Sequence, residues 1–297
     1  MLSKRLIYYI ISGVVLLAVL IIPSFFRLLT DWYWFQEIGF SNIFTTILRA
    51  KIFLGLAVGI LSFIIIYGNL WLARKLVASK PLIIPMQGVV GLGTDRAKEL
   101  DLEKYIHIFA LPVSLILGFF TGLVGAGSWE TALKYFNAVS FGVEDPIFGR
   151  DIAFYLFNLP FVQFLIGLGF WLIIASLLGA AASYILRGAI YFPKSLPRTR
   201  TSYMRDLFIE KPAKLHLSIL IALFFVLTGL KIYMVRIPSL LYGSTGPFTG
   251  ASFTDIHAML PFLKILIFVA AVVAIVVIVS AFGGKSSNRL LVSALGF

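Results

Sequence analysis

The chain has 297 residues, of which 60% are hydrophobic, 15% aromatic and only 13% charged. A water-soluble domain is nearer half apolar and a quarter charged, so this composition excludes a soluble globular protein. The chain has no cysteine, which also excludes a disulfide framework, a Cys-based zinc site and a thiol nucleophile.

Six apolar runs in the chain are long enough to cross a bilayer, since a spanning helix needs about 18 or more such residues. The predicted spans are 6–28, 52–73, 105–126, 161–186, 215–235 and 260–282. Residues 290–297 are apolar but too few to span, and we interpret them as the start of a seventh span cut off by the chain end. The predicted fold class is all-α: one polytopic transmembrane helical bundle over residues 1–297, with interfacial amphipathic helices, such as 129–139, on its outer face.

Basic residues in the loops predict how the chain is threaded. With the N-terminus in the cytoplasm, 17 of the 25 Lys and Arg residues lie in inner segments and 8 in outer ones, while 6 of the 13 acids lie inside and 7 outside. This asymmetry is typical of a plasma-membrane protein with a cytoplasmic N-terminus. The net charge of +12 therefore indicates insertion and contact with lipid headgroups, and no nucleic-acid partner is expected.

The spans themselves carry almost no ionisable residue at depth, which argues against a proton relay. Small residues instead recur every four positions, a spacing that lets helix backbones approach closely. Three helix faces are predicted to pack against a neighbouring helix in this way, through Gly55 and Gly59, through Gly118 and Gly122, and through Ala175, Gly179 and Ser183.

The first unusual outer segment is residues 31–40, which are too polar to span and unusually aromatic. We predict that this segment lies flat on the outer face, with Asp31 starting a short helix and Trp32 and Trp34 anchored in the headgroup layer. Glu37 adds a second acid. The alternative is a docking surface for an extracytoplasmic protein partner.

The second segment is residues 145–151. Asp145, Arg150 and Asp151 are expected to form ion pairs with one another. The alternative, a cation site, would use these two aspartates with Glu144, because hard cations take several oxygen ligands.

The third segment carries Asp255 and His257 immediately before the sixth span. The favoured interpretation is a helix cap with a surface histidine, and the alternative is a ligand pair or an acid–base couple. Elsewhere the chain lacks a catalytic triad, a HExxH motif and a phosphate loop. No catalytic, cofactor-binding or metal-binding residue is predicted, and an enzyme is the least favoured class.

At these same segments the chain resembles the UPF0182 family of uncharacterised prokaryotic membrane proteins. The resembling residues are 31–35 with Glu37, Gly39 and Phe40; 69–73; 145–149 with Asp151, Phe154, Tyr155 and 159–161; and Tyr242, Gly243 and 254–258. The resemblance implies the N-terminal transmembrane region of such a protein, about seven spans followed by a large extracytoplasmic domain. It brings no reaction and no catalytic residues, and this chain departs from the pattern by ending within the seventh span, as a fragment or a short form would.

Together these patterns favour an integral membrane anchor or scaffold for an extracytoplasmic domain or envelope partner, in contact with the lipid bilayer and open to homo-oligomerisation. The alternatives are a transporter or channel for a small or amphiphilic solute, and an envelope enzyme. The candidate outer-face cluster consists of Asp31, Trp32, Trp34, Glu37, Asp145, Arg150, Asp151, Asp255 and His257.

Overall fold

The computed structural model describes residues 4–78, 82–83, 99–100, 102–191, 208–242 and 250–283. Its elements in chain order are helices α1 (Lys4–Glu37) and α2 (Ser41–Leu76), strands β1 (Leu82–Ile83) and β2 (Glu99–Leu100), helices α3 (Leu102–Gly127), α4 (Trp129–Phe136) and α5 (Leu159–Leu186), strands β3 (Ile190–Tyr191) and β4 (Phe208–Ile209), and helices α6 (Lys211–Lys231) and α7 (Leu260–Phe282). π-helical turns precede α5 (Phe154–Asn158), follow α6 (Ile232–Arg236) and precede α7 (Asp255–Met259), and Pro238–Tyr242 forms a 3-10 helix.

Helices α2, α3, α5, α6 and α7 run alternately up and down and form the bundle. We call one end of the bundle the strand end, because β3 and β4 pair antiparallel there between α5 and α6. We call the other end the loop end. It contains the turn between α1 and α2, helix α4, the 137–153 connection and the start of α7. The three π-helical turns belong to the loop end.

Five helical stretches among the described residues are long and apolar enough to cross a membrane: Ser41–Leu76, Ile108–Gly127, Phe154–Leu186, Lys211–Leu241 and Asp255–Phe282. They confirm the predicted polytopic helical bundle, and each contains most or all of one of the predicted spans two to six. The first predicted span, 6–28, lies within α1, where only some side chains are described, and it stays a prediction. Residues 290–297 lie outside the described residues.

The prediction that residues 31–40 form a separate helix lying flat was wrong about the segment's structure. Helix α1 continues through Asp31 without a break and ends at Glu37. No glycine or proline interrupts the sequence from Ser24 to Glu37, so nothing ends the helix at Asp31. The chain turns instead at Gly39, whose φ of +78° favours glycine.

Helix α2 also extends beyond the predicted span. Its 36 residues correspond to a length of about 54 Å, compared with a hydrocarbon core of about 30 Å. The predicted span 52–73 is therefore the middle and end of a longer helix, whose first turns project at the loop end. The short helix α4, by contrast, agrees with the amphipathic stretch predicted at 129–139.

Helices α2 and α3 pack through glycine. A Cβ added at Gly55 would lie 3.2 Å from the carbonyl oxygen of Gly122, and one added at Gly122 would lie 2.8 Å from the carbonyl oxygen of Gly55. Gly59 and Gly118 face each other in the same way. The predicted small-residue pairs thus bring two backbones together, as the absence of side chains allows.

At the strand end, helix α5 joins the two sides of the bundle. Tyr184 and Ala180 of α5 are fully buried, together with Ala73 of α2 and Ala213 of α6. Gly179 completes the contact with α2, because its Cβ position lies 2.9 Å from Cδ2 of Leu70. The core of the bundle is therefore continuous from α2 through α5 to α6 at this end.

Candidate functional site

The loop between α4 and α5 is organised around the buried carboxylate of Asp145. Its Oδ1 accepts hydrogen bonds from the backbone N–H groups of Ile147 (3.0 Å) and Phe148 (2.6 Å). Its Oδ2 accepts from the Arg150 backbone N–H at 2.9 Å and from the Tyr155 hydroxyl at 2.7 Å. Tyr155 belongs to the π-helical turn before α5, so this carboxylate fastens the loop to a spanning helix.

The carboxylate of Asp151 likewise holds the start of this loop, residues 140–142, to its end. This carboxylate accepts from the Ser140 hydroxyl and from the backbone N–H groups of Phe141 (3.2 Å), Gly142 (3.0 Å) and Ala153 (2.7 Å). A backbone bridge between Glu144 and Asp151 closes the loop. Residues 140–153 thus form a compact hairpin that holds its shape through two aspartates.

These donors hold the pKa of both carboxyl groups below the ordinary value of 3.8. For Asp145, burial raises the pKa, but the Tyr155 hydroxyl and the three backbone N–H groups together outweigh it. For Asp151, the Ser140 hydroxyl, followed by the Ala153 N–H, lowers the pKa to about 2. Hydrogen bonds to the charged form favour ionisation, so both carboxylates are ionised at neutral pH.

The expected ion pairs among Asp145, Arg150 and Asp151 are replaced by these backbone contacts. The guanidinium of Arg150 lies over the Phe154 ring instead, 4.4 Å from its centroid. Backbone N–H groups reach the carboxylates because Gly149, with φ of +61°, lets the chain turn around Asp145. Every oxygen of the two carboxylates already accepts at least one hydrogen bond, which leaves little capacity for a cation.

Asp255 and His257 each bond within their own turn. The Asp255 carboxylate accepts from the Ser252 backbone N–H (2.9 Å) and hydroxyl (2.8 Å), and the Ser252 hydroxyl accepts from the Asp255 N–H. This reciprocal pattern is that of a capping box at a helix start. His257 donates from Nδ1 to the Phe253 carbonyl and stacks on the Phe253 ring, so the two residues form no acid–base couple in this geometry.

The aromatic residues at the end of α1 divide into two groups. The rings of Trp32 and Phe35 pack against Phe44 of α2, with centroids 5.2 and 5.8 Å apart, and hold the α1–α2 turn together. Tyr33 and Trp34 are exposed. Asp31 and Glu37, which the sequence also placed in the candidate cluster, are exposed on the same helix end.

The structure brings the three segments to one end of the bundle but does not join them. Among the described residues, no hydrogen bond, ion pair or ring contact links the α1 end, the 140–153 hairpin and the start of α7. Nor do the described side chains include three His, Asp or Glu residues arranged to hold a metal ion. The candidate cluster is therefore a shared surface rather than a single pocket.

Sequence reasoning missed a polar network at the strand end. Tyr184 of α5 and His216 of α6 are buried, and the Tyr184 hydroxyl lies 2.8 Å from His216 Nδ1. On the other side, His216 Nε2 lies 3.1 Å from Oδ1 of Asn69 in α2. Because Asn69 Nδ2 donates to the Ile65 carbonyl, its Oδ1 accepts from His216 Nε2–H, which leaves Nδ1 to accept the Tyr184 proton.

This network joins three helices from residues that lie far apart in the chain. The sequence did show Asn69 and His216 near span ends, but their partnership depends on which faces the helices present to one another. Nearby, the buried Lys214 donates to the Gly283 carbonyl at 3.3 Å and so ties α6 to the end of α7. Described polar contacts between spanning helices are thus concentrated at the strand end.

Comparison with known proteins places these features in a family. The chain is 36% identical over 258 residues to a UPF0182 protein of Salinispora tropica, covering 84% of this chain and 24% of that protein. It is 31% identical over 283 residues to one of Pelotomaculum thermopropionicum, covering 94% of this chain and 30% of that protein. It is 34% identical over 258 residues to one of Geobacter sp., covering 86% of this chain and 27% of that protein. The chain therefore spans about a quarter of the length of these relatives, and no solved structure matches it.

The family profile extends over almost all of the chain, from residue 8 to residue 297. Its match includes the α1 end, the 140–153 hairpin, the Asp255 capping box and the strand-end network. The chain belongs to the uncharacterised protein family UPF0182.

Proposed function

We propose that the chain is a membrane-embedded scaffold whose loop end faces away from the cytoplasm and holds an extracytoplasmic protein domain. That domain is the remainder of a longer family member or a separate envelope protein. The observation that carries the proposal is the 140–153 hairpin, a rigid platform fastened to a spanning helix by Asp145 and Tyr155.

The hairpin and the chain that leads into it from the end of α4 carry apolar side chains where a purely structural loop would be polar. Phe136, Val139, Phe141 and Val143 are 72, 73, 52 and 54% exposed, and we call them the 136–143 patch. They lie between two stretches long enough to span, Ile108–Gly127 and Phe154–Leu186, and so outside the spanning segments. Exposed apolar residues grouped outside the hydrocarbon core are typical of a contact surface.

The length of the relatives supports a protein as the occupant of this patch. UPF0182 proteins matched by this chain are three to four times as long, since the chain covers 24–30% of them. The excess of basic residues in the segments at the strand end supports an extracytoplasmic loop end, because positively charged loops stay in the cytoplasm. Docking of the patch onto lipid headgroups is the competing explanation.

Orientation can be tested cleanly because the chain has no cysteine of its own. A membrane-impermeant maleimide applied to intact cells should label Val139→Cys at the loop end. If the docked domain shields this position, labelling should follow its removal by an external protease. The matched strand-end variant Ala78→Cys should react only after lysis. Labelling of Ala78→Cys in intact cells, with Val139→Cys protected until lysis, would reverse the proposed orientation.

Docking itself is tested with substitutions that keep the fold. Val139→Asp and Phe136→Ser should release a separate envelope protein that co-purifies with the unaltered chain or, where the domain is the remainder of a longer family member, make the connection to that domain easier for a protease to cut. Phe282→Ser, an exposed aromatic at the strand end, serves as the control. Equal retention of the protein by the patch variants and the control would count against the scaffold.

A further inference from the structure

A cavity of about 460 Å³ lies between three of the spanning helices, in the half of the bundle nearer the loop end. Its walls include Val58 of α2, Phe120 and Thr121 of α3, and Phe164, Gly167 and Trp171 of α5. The volume lies within the range of about 300–1,000 Å³ found for small-molecule sites.

The lining offers almost no polar group to a ligand. The Thr121 hydroxyl donates to the Leu117 carbonyl at 2.7 Å and accepts from the Trp171 indole N–H at 2.9 Å. Both polar side chains of the wall are therefore engaged with the protein, so the wall offers a ligand almost only apolar surface. The chemistry of the walls suits a hydrocarbon chain.

Gly167 leaves part of this space open. A Cβ added there would meet no heavy atom within 4 Å, whereas one added two residues later, at Gly169, would lie 2.9 Å from Leu227. The first glycine thus contributes empty volume, and the second packs against the end of the Leu227 side chain. The open volume at Gly167 is continuous with a cavity instead of being filled by a neighbouring helix.

The cavity is closed toward the strand end. Leu172, one residue beyond Trp171, is buried in a cluster with Ile66 and Leu70 of α2 and Ala110 of α3. Farther along, the network of Asn69, His216 and Tyr184 joins α2, α5 and α6. A ligand therefore enters from the side of the bundle or from the loop end.

We propose that this cavity binds one acyl chain of a membrane phospholipid. All three helices that form it belong to stretches long enough to span the membrane, so lipid chains are the medium beside its opening. A chain that enters gains dispersion contacts with Phe120, Phe164 and Trp171 that a void cannot provide. This site is separate from the 136–143 patch and does not depend on the scaffold proposal.

The test uses the full chain in nanodiscs that contain a phospholipid with a photoreactive diazirine in its acyl chain. Irradiation and peptide mapping should show adducts concentrated on α3 and α5 around Thr121 and Trp171. Gly167→Phe should fill the cavity and lower these adducts about tenfold, corresponding to about 1.4 kcal/mol.

The matched control is Gly68→Phe, because Gly68 is also an exposed helical glycine whose Cβ position is open but lies outside the cavity. It should leave the adducts unchanged. If Gly167→Phe lowers the melting temperature of the protein, Gly167→Leu replaces it as the filling variant. Equal labelling of the filled and unaltered proteins, or adducts spread evenly over all lipid-facing helices, would overturn the proposal.

Discussion

The hydroxyl of Tyr155 donates a 2.7 Å hydrogen bond to the buried carboxylate of Asp145, ten residues earlier in the chain. This bond connects the loop that emerges from α4 to the helical segment that continues into α5. The orientation of the 136–143 patch relative to the spanning helices therefore depends on it.

Removing the hydroxyl tests that dependence. Tyr155→Phe keeps the ring but removes one of the two donors to Asp145 Oδ2 and leaves the Arg150 N–H as the other. We expect a loss of about 1.5–3 kcal/mol of stability, the range for hydrogen bonds to charged groups. Hydrogen–deuterium exchange at residues 145–151 should be faster in this variant than in the unaltered protein. Tyr33→Phe, on an exposed tyrosine, is the control and should change nothing. Unchanged exchange in Tyr155→Phe would show that the loop is held by its own backbone alone.

The hairpin should also respond to acid. Because the folded pKa of Asp145 and of Asp151 is lowered, their stabilisation is complete above the unfolded value of 3.8 and is lost as pH falls through the folded values. For Asp151 that folded pKa is about 2. Exchange protection of Gly142 and Phe148, corrected for the intrinsic rate, should be constant from pH 8 to about 4 and decline between about 4 and 2. A decline near pH 6 would point to another group.

The glycine contact between α2 and α3 predicts a sharp positional effect. Gly122→Ala places a methyl group 2.8 Å from the Gly55 carbonyl oxygen and must push the helices apart. Gly68→Ala, also on a spanning helix, meets nothing within 4 Å. We expect the first variant to lower the midpoint of denaturation. The second should leave the free energy of unfolding unchanged or raise it by up to about 1 kcal/mol, the helix preference of Ala over Gly. Similar midpoints for both variants would argue against close α2–α3 packing.

The network at the strand end predicts coupling between helices. In a double-mutant cycle, Asn69→Leu and His216→Leu should show an interaction energy of about 0.6 kcal/mol, the average for hydrogen bonds between membrane helices, and at most about 1.7 kcal/mol. Replacing Asn69 together with the exposed His257 should give additive losses of stability, because the contacts of His257 with the described residues lie within its own helix turn. Additive losses for Asn69 and His216 would show that their contact contributes no stability.

The sequence was sufficient to predict the bundle and the helix faces that pack closely. Apolar length alone located helices α2, α3, α5, α6 and α7, and the four-residue spacing of glycine marked close-packing faces on α2 and α3, but the structure shows that these two faces meet each other. The predicted start of a separate helix at Asp31 is wrong, because a polar residue alone does not end a helix. A helix can continue past a polar residue into the interface, and it ends where Gly39 turns the chain.

The site was less predictable because it depends on backbone geometry. Two aspartates near an arginine suggested ion pairs, but the turn at Gly149 brings backbone N–H groups closer to Asp145 than the guanidinium. The strand-end network of Asn69, Tyr184 and His216 combines residues up to 147 positions apart. No local pattern in a single sequence indicates such a contact, because it depends on how the helices are rotated against one another.

The most direct test of the scaffold is a photoreactive amino acid placed at Val139 in the protein expressed in its own cell membrane. Val279, 63% exposed on spanning helix α7, provides the matched lipid-facing control position. We predict that irradiation links Val139 to protein, either the remainder of a longer family member or an envelope protein, and links Val279 to lipid. Lipid adducts alone at both positions would contradict the account, because the 136–143 patch would then serve only to rest the loop end on the membrane.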